Sequence, residues 1–92
     1  MIKRVVKMEI MENKTTEFIF FLKQNKSKIL STNGCESLTI LHNKNIFFTY
    51  SSWKRKEDLE RYRKSHFFKE TWTKAKTFFS KKPEAWSLNE II

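Results

Sequence analysis

Eight residues, Ile46 to Trp53, constrain this chain more than any others. They read Ile-Phe-Phe-Thr-Tyr-Ser-Ser-Trp, six of the eight aromatic or β-branched and none Gly or Pro, which is the composition of a buried strand. Successive side chains of a strand point to opposite faces, so Phe47 and Phe48 cannot share one. The sheet containing this strand is therefore apolar on both sides. Helices of the same chain can cover one side. The other wants a second cover, and the simplest is another copy of the chain, so the pattern implies a homodimer.

Directly after the strand, Lys54-Arg55-Lys56-Glu57-Asp58-Leu59-Glu60 turns charged and helix-forming. Trp53 thus sits where a strand ends and a helix begins. In an α+β domain that junction commonly borders a cleft, which makes Trp53 the first candidate for a functional side chain.

The remaining elements follow from periodicity. Ile2 to Met11 alternates: Ile2, Val6, Met8 and Ile10 share one face, with Arg4 the exception. Asn13, Thr15 and Thr16 offer N-cap oxygens, and Phe18, Phe21, Leu22, Asn25 and Ile29 form one stripe of a helix over 15–30. Asn33-Gly34 ends it, with Gly34 free to take positive φ. A second strand covers 36–42, with Leu38, Ile40 and His42 on one face. Asn43-Lys44-Asn45 closes a hairpin onto the strand at 46–53, its two Asn residues tolerating left-handed geometry. A short helix spans about 55–64. Ser65 caps another that carries Phe68, Trp72, Ala75 and Phe79 at helical spacing, and Lys81-Lys82-Pro83 stops it. Ala85 to Ile92 has strand character.

The order is β-α-β-β-α-α-β, a ferredoxin-like split βαβ of the α+β class, with a four-stranded antiparallel sheet and helices on one face. One domain over 1–92 is expected, since 92 residues bury only a modest core and no boundary or repeat interrupts them. A single Gly and a single Pro demand short loops and argue against disorder. No apolar run reaches the roughly 18 residues that span a membrane. Lys7, Glu9 and Glu12 interrupt any signal-peptide core, so a cytoplasmic chain is expected.

The net charge of +9 permits attraction to nucleic acid, an anionic membrane or an acidic ligand. Lys3, Lys14, Lys26, Lys44, Lys54, Lys69 and Lys81 scatter the charge over nearly every segment, as on a solvated surface. An RNA-recognition module shares this strand order but needs a Gly-containing basic-aromatic motif on its third strand, and Asn45 to Tyr50 has no Gly. Nucleic acid is disfavoured as a partner. Cys35 has no second cysteine with which to form a disulfide or hold zinc, and no carboxylate pair, Ser-His-Asp set or Gly-rich phosphate loop is present.

Four segments, Asn33-Gly34-Cys35, Ile46 to Trp53, Glu57-Asp58-Leu59 and Ser65-His66-Phe67-Phe68, give the chain a resemblance over nearly its full length to the antibiotic biosynthesis monooxygenase family of the dimeric α+β barrel superfamily. The resemblance implies a homodimer whose sheets pair to close a barrel. It also implies a pocket in each protomer between sheet and helices, and oxidation of small aromatic or polyketide-like compounds with O2 and no cofactor or metal. Trp53 matches a strand-end Trp that lines the pocket. Quinone-forming members have Asn and Tyr where this chain has Thr49 and Leu59. Haem-degrading members have a His ligand where it has Trp72, which cannot ligate iron. Many have a His near the place of Tyr62. Arg55 replaces a Ser cap, a loss of about 1 kcal/mol.

The best catalytic candidates are Trp53 and His42, and the expected pocket is Asn25, Thr49, Trp53, Tyr62, Phe68 and Trp72. Each has a structural alternative. Trp53, Phe68 and Trp72 could simply be core, His42 a hydrogen-bonded strand residue, Asn25 a helix-surface residue, and Tyr62 a flat-packed ring with a wet hydroxyl. His66 is expected on the surface. Two functions follow: a cofactor-independent monooxygenase of a small aromatic ligand, or a non-catalytic binding or stress-response protein using the same pocket.

Overall fold

The computed structural model describes all 92 residues, Met1 to Ile92. Strand β1 (Ile2–Glu9) leads through one 3-10 turn (Glu12–Lys14) into helix α1 (Thr15–Leu30). The hairpin β2 (Cys35–Asn43) and β3 (Ile46–Trp53) follows, then α2 (Lys56–Lys64), α3 (His66–Lys76) and β4 (Glu84–Asn89). Every strand pairing is antiparallel, in the order β2-β3-β1-β4. This is the ferredoxin-like sheet that the alternation implies, with β3 and β1 at its centre.

Register fixes which residues share a face. Thr39, Tyr50, Val5 and Trp86 form one row across all four strands. With Leu41, Phe48 and Leu88 they make an apolar face to which no helix is applied, and Leu41, Tyr50, Trp86 and Leu88 are exposed there. The opposite face carries the helices. Its core joins Met8, Ile10, Phe18, Phe47, Ala75 and Phe78. Phe18 meets Phe47 edge-on, with centroids 5.0 Å apart at 86°, a favoured aromatic geometry.

Four local expectations are corrected. No side chain caps α1: its N-cap is Lys14, and the Thr15 hydroxyl instead donates to the Glu12 carbonyl at 3.2 Å. Lys44, not a flanking Asn, takes the left-handed turn position, with φ 54°. Asn45 is committed elsewhere, exchanging bonds with Ile10: the Ile10 amide donates to its carbonyl at 2.8 Å, and its own Nδ2 donates to the Ile10 carbonyl at 2.9 Å. Helix α3 ends at Lys76, although Phe79 keeps helical spacing. The Met11 amide donates to the Phe78 carbonyl and the Ser80 amide to the Glu9 carbonyl, both at 2.9 Å, so this segment docks on the end of β1. The last strand stops at Asn89.

Candidate functional site

Between the helix-bearing face and the helices lies a hollow of about 330 Å3. That is near the lower limit of small-molecule sites, roughly 300–1,000 Å3. The strands furnish its floor in successive cross-strand rows. Ile40, Thr49, Val6 and Ala85 form one row, and Leu38, Ser51, Arg4 and Ser87 the next. Helix α1 contributes Phe18, Phe21, Leu22 and Ile29, and the α2–α3 pair Leu59, Tyr62, Phe68, Trp72 and Ala75.

An aromatic wall runs along one side. Trp53 stacks on Tyr62 at 5.0 Å and 28°, Tyr62 meets Phe68 edge-on at 5.1 Å, and Phe68 stacks on Trp72 at 6.0 Å and 9°. The wall is held by its connections. Ser65 breaks α2 from α3, accepts the Phe68 amide at 3.1 Å and donates to the Tyr62 carbonyl at 2.6 Å, which sets the two rings in register. Trp53 is 1% exposed, and its indole Nε1 donates to Ser51 Oγ at 2.9 Å. Burial pushes the Tyr62 phenol up to about 12, with Cys35 a smaller influence. At neutral pH this hydroxyl is a hydrogen-bond donor, not a base.

The strand-to-helix junction beneath Trp53 is fixed by ions. Asp58, 2% exposed, accepts from Arg55 Nε and Nη2 at 3.3 Å and from Arg61 Nη1 at 3.2 Å. The Arg55 hydrogen bond holds the Asp58 carboxyl below its ordinary range, with the charges of Arg55 and Arg61 adding to it. Gly34 lies against this carboxylate with φ +90°, and the Lys54 amide donates to its carbonyl at 2.8 Å. Burial raises the neighbouring Cys35 thiol, which disfavours the reactive thiolate.

Of the residues singled out from the sequence, Thr49, Trp53, Tyr62, Phe68 and Trp72 line the hollow together. Asn25 and His42 are not among its lining residues. Asn25 donates to the Phe21 carbonyl at 2.8 Å within its own helix. His42 is exposed, stacks on Phe47 at 4.7 Å, and its Nδ1 lies 3.0 Å from the Lys44 carbonyl. His66 is exposed beside Glu70 at 2.9 Å. Leu59 lines the hollow as well. So do Arg4, Ser51 and Arg63, which sequence reasoning did not place there. For Arg4 the signal existed, as the one polar residue on the apolar side of the first strand. No three His, Cys, Asp or Glu side chains converge anywhere to hold a metal ion, and no helix is long and apolar enough to cross a membrane.

An antiparallel sheet with helices on one side, enclosing an aromatic-walled hollow between the two layers, defines a ferredoxin-like α+β protein built around an internal ligand-sized space. More specifically, the chain belongs to the antibiotic biosynthesis monooxygenase family, whose model matches residues 1–74. Among solved structures it is similar to a conserved protein from Methanosarcina mazei, 22% identical, with a TM-score of 0.91 over 98% of this chain and 92% of that one. A protein from Mycobacterium tuberculosis superposes with a TM-score of 0.90 at 9% identity, covering 99% and 95% of the two chains. A point-mutant form of SnoaB, a cofactor-independent oxygenase from Streptomyces nogalater, gives 0.86 at 13% identity, covering 97% and 91%. At these identities the likeness establishes the fold. No curated protein matches the sequence.

Proposed function

We propose that the chain is a cofactor-independent monooxygenase of small aromatic compounds, acting in the hollow between sheet and helices. The observation that carries this is the wall of Trp53, Tyr62, Phe68 and Trp72 around about 330 Å3, in a member of this family. A planar ring sandwiched there would be shielded from water, and Thr49 and Tyr62 on the lining carry the hydroxyls that would bond its oxygens. In the reaction we propose, a phenol-type substrate gives up four electrons to O2. One oxygen atom enters the ring as a new carbonyl and the other leaves as water with the two displaced hydrogens, so no external reductant is needed. The protein's part is to hold the phenolate form and exclude solvent. No imidazole lines the hollow and Tyr62 stays protonated, so the substrate loses its proton to water at the mouth.

The test is oxygen uptake with a panel of phenols and hydroquinones. Stoichiometric O2 consumption with quinone formation is expected, and Trp53→Ala or Tyr62→Phe should slow it. Binding without oxygen consumption across the panel would instead establish the second reading, a non-catalytic binding protein. That reading draws on Thr49 and Leu59, which stand where quinone-forming relatives carry Asn and Tyr.

The working unit we propose is a homodimer joined through the uncovered apolar face, where Leu41, Tyr50, Trp86 and Leu88 are exposed in the isolated chain. Sedimentation should give twice the chain mass, and Tyr50→Asp should reduce it to one. A monomeric wild type at micromolar concentration would overturn the dimer.

A further inference from the structure

Arg4 stands on the hollow's side of a central strand, in a row with Leu38, Ser51 and Ser87. Its neighbours along the strand on that side are Ile2 and Val6. A charge at such a position is costly unless something answers it. The protein's own answer is small: Arg4 Nη1 donates to Ser87 Oγ at 2.9 Å, and no carboxylate lies within ion-pairing distance. Arg63, on α2, lines the same hollow and is likewise without a carboxylate, whereas Arg55 and Arg61 on that segment both hold Asp58. Both guanidiniums border the one hollow, and burial, with the charge of Arg63 added, lowers the proton affinity of Arg4. The far end of the hollow, at Met8, Phe18, Phe21 and Ala75, carries no charge.

We infer that Arg4 and Arg63 together form an anion-binding end to the hollow, and that its occupant is an aromatic carboxylate. The ring system would lie along the wall of Trp53, Tyr62 and Trp72, with the carboxylate between the two guanidiniums. Arginine suits this task because its planar fork matches a carboxylate with paired hydrogen bonds. An anion between the two arginines also removes the repulsion that otherwise sets one cation against the other. The carboxylate is a handle and takes no part in oxidation. Arg4, half-buried and held by Ser87, supplies orientation, while exposed Arg63 at the rim draws the anion in. This inference names the substrate class of the site proposed above and rests on its being a ligand pocket.

The probes are β-naphthoic acid and its neutral isostere β-naphthamide, titrated against the full chain. Fluorescence is the readout, because Trp53 and Trp72 both line the hollow. A charge-assisted bond to a partly buried group is worth enough that the acid should bind about tenfold or more tighter than the amide. Added salt should weaken the acid alone. Arg63→Met, on an exposed helix position, and Arg4→Met should each erase most of that ratio, lowering acid affinity far more than amide affinity. Equal binding of acid and amide, or an unchanged ratio in both variants, overturns the anion site while leaving the pocket standing. Failure of both probes to bind overturns the pocket reading itself, and oxygen uptake decides separately whether the pocket is catalytic.

Discussion

Replacing Gly34 by Ala should be among the most damaging single changes at the surface of this protein. An ideal Cβ there falls 2.3 Å from Asp58 Cγ, 2.4 Å from its Cβ and 2.5 Å from Oδ2. Asp58 cannot swing aside cheaply, since Arg55 and Arg61 grip its carboxylate and it is buried. Two costs add. A non-glycine residue held in the left-handed region loses roughly 1–2 kcal/mol. Forcing extra atoms into a packed site typically adds about 1–3 kcal/mol. The sum, about 2–5 kcal/mol, corresponds at roughly 4–8 °C per kcal/mol to a Tm lowered by about 10 °C or more. Thermal and urea unfolding followed by circular dichroism measure it. Gly34→Asn separates the two costs, because Asn tolerates positive φ but keeps the Cβ. It should be nearly as unstable as Gly34→Ala. An Asn variant as stable as the wild type, or an Ala variant losing under about 1 kcal/mol, would refute the steric argument.

The same carboxylate should show in the acid limb of stability. Its pKa is depressed in the fold, so its contribution is complete above the unfolded value, about 3.9, and fades as pH falls below that toward the folded value. Asp58→Asn should flatten the pH dependence of unfolding there; a slope equal to wild type would count against it. A spectrophotometric titration of the phenols should contain one late step near 12, absent from Tyr62→Phe, and its persistence in that variant would reassign it. Phe18→Ala, at a site of no exposure amid Phe21, Phe47, Phe78 and Phe79, should cost about 3–5 kcal/mol by equilibrium unfolding. A loss under about 1 kcal/mol would mean that the core collapses around the gap.

Element order and sheet topology were readable because strand and helix periods in this chain are rarely interrupted. Ile46 to Trp53 can only be a strand with two apolar faces, and the register places Phe47 and Phe48 on opposite sides. The end of α3 was not readable. Phe79 sits on the helical stripe, yet bonds to Glu9 and Met11, far off in sequence, outweigh one more helical turn. The hollow was legible where it is aromatic and opaque where it is charged. Trp53 and Trp72 announce themselves by size, whereas Arg63 lies in the run Arg61-Tyr62-Arg63-Lys64, in which nothing local tells a pocket residue from a solvated one. Asp58 was hidden for the same reason. Its contact Gly34 belongs to another of the segments that carried the family resemblance, and the two meet only in the fold.

Strand β4 has every residue exposed in the isolated chain and is joined to the sheet through β1 alone. It nevertheless supplies Ala85 to the chamber and the hydroxyl of Ser87 to Arg4. Fraying of this outermost ribbon would therefore open a side door and untether the guanidinium in a single motion. In the ligand pocket proposed above, exchange would then follow the breathing of this edge strand.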